Sequence, residues 1–160
     1  MRKALILAAS ALVAVGLAAA GMAAAPAHRV RAATKRSVVV STRRLPKLGF
    51  VLVDGRARTL YMFVPDKRRK VTCIGTCASL WPPLRLAKGA KPVARGKARQ
   101  SLLGSDPDPA GGRVVTYHGW PLYTYVGDGA PGAANGQALN SAGGLWYVLS
   151  PRGEVIRTRT

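Results

Sequence analysis

Apolar positions in this chain come in short runs broken by turn residues, and beyond the first 25 residues no run keeps a helical period. Gly49-Phe50-Val51-Leu52-Val53 leads into Asp54-Gly55, which predicts a strand entering a turn. From Thr59 to Val64, Leu60, Met62 and Val64 alternate with Tyr61 and Phe63. That alternation predicts the second arm of a hairpin, aliphatic on one face and aromatic on the other. Pro65 ends it, because proline has no N–H to give to a ladder. Arg113 to Tyr117, the turn His118-Gly119, and Trp120 to Val126 predict a second hairpin. Leu145 to Leu149 reads as a strand centred on Trp146, and Glu154 to Arg157 as a final edge strand. A helical turn at Ala78-Ser79-Leu80 is stopped by Pro82-Pro83.

The two hairpins carry one signature. Leu60-Tyr61-Met62-Phe63-Val64-Pro65-Asp66 and Leu122-Tyr123-Thr124-Tyr125-Val126-Gly127-Asp128 both read Leu-Tyr-x-aromatic-x-x-Asp, and each is followed by a loop and a Trp (Trp81, Trp146). A duplicated pattern implies a duplicated piece of structure. The expected architecture is all-β: a single domain, 48–158, of two pseudo-symmetric β-hairpin repeats (about 48–84 and 111–150) forming a small sandwich or barrel. The stretch 85–111 between them is basic, then rich in Gly, Pro and Asp, and is expected to include a loop over the surface.

The N-terminus changes the picture of where this domain works. Arg2-Lys3 followed by an apolar, Ala-rich run to Ala25 predicts a secretory signal peptide over 1–27. Cleavage after Ala25 or after Ala27 satisfies the small-x-small rule, and the second avoids Pro26. The rival reading is an uncleaved anchor, since about 20 apolar residues span a bilayer. With the signal removed, no membrane span is expected, and the location is secreted, periplasmic or cell envelope. In such an oxidising compartment Cys73 and Cys77, the only two cysteines, are expected to pair. Zinc, covalent haem and a redox-active dithiol each lack a neighbouring group that they need: two more ligands, a His after Cys77, or a Cys-x-x-Cys spacing.

Charge points to partners. The chain has 25 Lys+Arg against 6 Asp+Glu, a formal net charge of +19. The basic residues cluster: Arg29, Arg31, Lys35, Arg36, Arg43, Arg44 and Lys47 in an arm over 28–47 expected to be flexible, with Val38-Val39-Val40 offering a short strand; Lys67, Arg68, Arg69 and Lys70 after the first motif; and Arg85, Lys88, Lys91, Arg95, Lys97 and Arg99 in an acid-free stretch. Outside the cytoplasm the natural partners for such clusters are anionic envelope lipids or polymers, each basic residue near an anionic membrane contributing about 1 kcal/mol. Nucleic acid is not expected, because no recognition helix, zinc finger or RNA-binding aromatic motif accompanies the charge.

These residues resemble a bacterial family of secreted or lipoprotein repeats defined by Tyr-x-(Phe/Trp/Tyr)-x-x-Asp. Tyr61, Phe63 and Asp66 match the first copy; Tyr123, Tyr125 and Asp128 match the second. Gly49-x-x-Leu52-x-Asp54, Cys73-x-Gly75-x-Cys77-Ala78, Trp81-Pro82-Pro83-Leu84 and Gly119-x-Pro121-Leu122-Tyr123 match as well, so the resemblance covers about 48–150. It implies a family of unknown function. The chain departs from many members in having no Cys after the apolar stretch, so lipid anchoring does not carry over.

Chemistry beyond charge is sparse. Each motif Asp sits where it could accept loop N–H groups, and the alternative is a pair of Tyr/Asp ligand sites. Trp81, Trp120 and Trp146 suit packing, or a glycan platform if exposed. Asp106 and Asp108, between prolines, read as a rigid surface turn with too few oxygens for calcium. Copper through His28, His118 or Met62 lacks ligands, and no nucleophile elbow surrounds His118. The expected function is an exported, non-enzymatic β-domain on anionic envelope surfaces, with no cofactor. The alternatives are an exported redox or metal-binding (copper- or haem-associated) protein, or a glycan-binding module.

Overall fold

A computed structural model describes residues 37–66 and 70–158. The signal peptide, the arm residues Arg29, Arg31, Lys35 and Arg36, and Lys67, Arg68 and Arg69 lie outside the described residues. In chain order the strands are β1 (Val39–Leu45), β2 (Gly49–Asp54), β3 (Tyr61–Phe63), β4 (Arg85–Leu86), β5 (Val93–Ala94), β6 (Leu103–Pro107), β7 (Arg113–Tyr117), β8 (Trp120–Pro121), β9 (Asn140–Ser141) and β10 (Gly144–Val148). One five-residue helix, α1 (Thr76–Leu80), stands where the helical turn was expected. The domain is all-β. Among the described residues the strands form three sheets, β2-β1-β5, β3-β10-β9 and β4-β7-β6 with β8 joined to β7. None of them is closed.

The folded part starts before Leu48, which corrects the expected arm over 28–47. β1 pairs antiparallel with β2 from Val40↔Asp54 to Leu45↔Gly49, and its start runs parallel to β5. Val40 and Leu45 are buried while Arg43 and Arg44 stay exposed, so the basic run concealed an amphipathic strand. The stretch 85–111, expected to include a surface loop, is more structured than that. It holds β4, β5 and β6, and β6 pairs with all five residues of β7. Asp106 therefore lies in a strand. Asp108 is buried in the following turn, where Ala110 N–H donates to its carboxylate and Arg85 pairs with it at 2.9 Å.

The hairpin pairing of β2 with the first motif strand is brief. Leu60 N–H reaches Leu52 O at 3.0 Å, as Leu122 N–H reaches Val115 O at 3.0 Å in the second repeat. Beyond that point each motif strand crosses to the other repeat. β3 pairs with β10, Phe63 opposite Trp146, and Thr124 and Val126 N–H donate to Pro82 and Leu80 O at 2.9 and 3.1 Å. Tyr61 and Tyr123 exchange N–H···O bonds of 2.8 and 3.0 Å where the repeats meet.

The alternation in the first motif strand separates two cores. Leu60 and Met62 pack with Val40, Leu52, Val115, Tyr117, Leu122 and Leu149 in an aliphatic cluster, which Trp120 partly covers. Tyr61 and Phe63 face Val51, Trp81, Tyr123 and Trp146 in an aromatic one. Both faces of β3 are thus buried. Val64, expected on the aliphatic face, falls in a 3-10 turn (Val64–Asp66) and is exposed, because Pro65 ends the strand one residue earlier than the alternation suggested. The expected disulfide Cys73–Cys77 is present, closing the loop before α1.

Candidate functional site

The motif residues converge at the junction of the repeats. Tyr123 Oη donates to Asp66 Oδ2 at 2.5 Å, and Tyr61 Oη donates to Asp128 Oδ2 at 2.8 Å. Each Tyr therefore serves the Asp of the other copy. The remaining carboxylate oxygens accept from the loops, as the turn role of Asp requires: Asp66 Oδ1 from Thr72 N–H (2.7 Å) and Thr72 Oγ1 (2.6 Å), Asp128 Oδ1 from Asn135 N–H (2.8 Å). Phe63, Trp146, Trp81 and Tyr125 stack in one column, with centroids 4.2, 3.8 and 4.2 Å apart. Tyr61 meets Trp81 edge-on and Tyr123 meets Trp146 likewise. The column follows the same exchange: the aromatic of one copy lies on the Trp of the other.

Tyr61, Tyr123, Asp66, Trp81 and Trp146 have no exposed surface. Burial, reinforced by the facing carboxylates, pushes both tyrosine hydroxyls far above their ordinary range, so both remain protonated donors. Burial also raises Asp66 and Asp128, against the hydrogen bonds that lower them. The arrangement fastens the two repeats together. Trp81 and Trp146 offer no sugar platform. Among the described residues no three His, Cys, Asp or Glu side chains form a metal-binding group, and no helix is long and apolar enough to cross a membrane.

The surface has a different character. Of the basic residues singled out in the sequence, Arg43, Arg44, Lys47, Lys70, Arg85, Lys88, Lys91, Arg95, Lys97 and Arg99 are described and all are exposed. They do not form one patch. Arg43 lies against the loop at Gly132, where a Cβ would come within 2.8 Å of its Nε. Arg85 is held on the β6–β7 turn by Asp108 and Gly111 O. Arg44 shares a face with its register partner Phe50 on β2. Lys97 Nζ sits 4.6 Å from the Phe50 ring centroid, a cation–π contact. Phe50, Lys97 and Arg99 line a groove of about 530 Å³ whose far wall is the turn carrying Arg152. Arg152 escaped the sequence reading because it stands alone in Pro151-Arg152-Gly153, some 50 residues from the basic stretches.

Three of the six acidic residues are turned the other way, and of the rest only Glu154 is exposed. Asp54, Asp66 and Asp108 are buried and bonded to turn N–H groups, and Asp128 is engaged with Tyr61. Little negative charge is left outside to offset the cations.

Neither a search of curated proteins nor one of solved structures finds a match to this chain. The family model described as "Secreted repeat of unknown function" (Lipoprotein_15) matches twice, over residues 43–85 and 106–150. The two matches begin within β1 and β6, the strands that open the two structural units, and together they take in more than half of the chain. The protein belongs to this family of secreted repeats.

Proposed function

We propose that this protein is an exported, non-enzymatic β-domain that associates with anionic cell-envelope surfaces through its basic residues. The observation that carries the reading is the opposite placement of the two charge signs. Asp54, Asp66 and Asp108 are buried and Asp128 is engaged with a tyrosine, while the described Lys and Arg side chains of the basic stretches stand in solvent. Such a surface attracts polyanions over a distance set by salt, about 10 Å at 0.1 M and 3 Å at 1 M. The test is co-sedimentation of the purified protein with vesicles containing anionic lipid and with isolated cell-wall material. Binding should be strong at low salt and fall steeply as salt rises. Binding that ignores salt, or no binding at low salt, would overturn the reading.

A further inference from the structure

We propose that the groove between the Lys97–Arg99 segment and the Ser150–Glu154 turn binds one strand of an anionic envelope polymer, a chain bearing phosphate or carboxylate groups. The proposal rests on the functional reading above and gives it a location. Three cations face this groove, Lys97, Arg99 and Arg152, and one acid, Glu154, which accepts a bond from Ser150 Oγ at 3.3 Å.

The two walls are held in place from the core. Tyr117, fully buried on β7, accepts the N–H of Arg99 at 2.8 Å and donates its hydroxyl proton to Pro151 O at 2.7 Å. One side chain thus joins two segments about 50 residues apart, with an Arg beside each joint. The Arg152 turn is fixed at its other end by Gly153. Its φ of +80° suits glycine, its carbonyl lies 3.1 Å from His118 Nδ1, and a Cβ there would meet His118 at 2.5 Å. Lys97 is placed by its own N–H on Thr42 Oγ1 (3.0 Å) and by its ammonium over Phe50. A site whose backbone is already set loses less entropy on binding than a mobile basic tail.

The chemistry matches a polymer. Guanidinium forks take phosphate or carboxylate oxygens in pairs. Phe50, 38 % exposed at the groove, offers apolar surface to the carbon skeleton between charged groups.

The full chain would be titrated at low salt with soluble poly(glycerol phosphate), with polygalacturonate, and with phosphatidylglycerol vesicles. Three variants accompany the wild type: K97A/R99A/R152A; K70A/K88A/K91A, with the same charge change elsewhere; and F50A, with no charge change. Tryptophan fluorescence confirms that each is folded. We expect the groove triple to lose about tenfold or more in polymer affinity, the control triple about twofold, and F50A about threefold, since charge-assisted bonds and ring contacts are removed only in the first and third. The two polymers decide between phosphate and carboxylate. Equal losses in both triples with F50A unchanged would overturn the groove while leaving charge-driven association intact. Tight vesicle binding with no polymer binding would overturn the polymer in favour of a membrane. Failure of the wild type to bind any of the three would overturn both proposals.

Discussion

Replacing Tyr123 by Phe removes one hydroxyl from the junction and leaves the rings stacked. Asp66 then keeps its bonds from Thr72 and from the Cys73 N–H, but loses the hydroxyl that reaches Oδ2 in a place with no exposed surface. A buried acceptor that loses a donor costs about 1–3 kcal/mol. Tyr61→Phe is the internal comparison. Asp128 is only half-buried, so water can replace the lost hydroxyl there, but Tyr61 Oη also accepts the N–H of buried Gly136 at 3.3 Å, which the substitution leaves without its acceptor, and about 1–3 kcal/mol is expected. Urea unfolding followed by tryptophan fluorescence measures both, with an unchanged m-value showing that the same transition is followed. A double-mutant cycle identifies the partner. Tyr123→Phe with Asp66→Ala should show a coupling of about 1–3 kcal/mol, and Tyr123→Phe with Asp128→Ala almost none. Coupling to the Asp of its own repeat, or a Tyr123→Phe variant within about 0.5 kcal/mol of wild type, would refute the exchanged pairing.

The raised carboxyls of Asp66 and Asp128 fix the sign of a pH effect. Between the ordinary value of 3.8 and the raised folded values, the folded chain holds more protons than the unfolded one. Their contribution to stability is therefore complete below the ordinary value and declines as pH rises through the folded values. Thermal melts across this range should show an Asp66→Asn/Asp128→Asn double variant lacking that part of the decline; parallel curves would contradict it. Gly136→Ala would place a Cβ 2.6 Å from the Trp81 ring and 3.0 Å from that of Tyr61. Both rings are held by their neighbours, so overpacking of about 1–3 kcal/mol is expected, with an altered near-ultraviolet circular dichroism signal. An unchanged melt would show that the column can yield.

Alternation and turn residues made the motif strand and both turns legible, and the repeated signature made the two units legible. The role of each Asp as an acceptor of loop N–H groups was also readable, because Asp after a strand has that chemistry. The choice of pairing partner was not. Tyr61-Met62-Phe63 has a period of two that suits any neighbour, and only the shape of the aromatic cluster directs it to β10. β1 and β6 were hidden for another reason. β1 carries the exposed Arg43 and Arg44, and β6 the polar Ser105 and Asp106, so the runs looked like an arm and a loop rather than half-buried strands. The groove was least legible, because its two walls come from distant segments joined by one tyrosine hydroxyl.

The exchanged Tyr–Asp bonds and the shared column of rings make each repeat incomplete alone. One copy by itself would present a tyrosine without its carboxylate, a carboxylate without its tyrosine, and half of a stack. A second identical molecule could supply all three, as in a domain-swapped two-fold dimer. The chain can therefore be regarded as such a dimer made permanent by a tether. The segment between the copies replaces a concentration-dependent encounter with an intramolecular one, so the pair stays assembled at dilutions where separate copies would part.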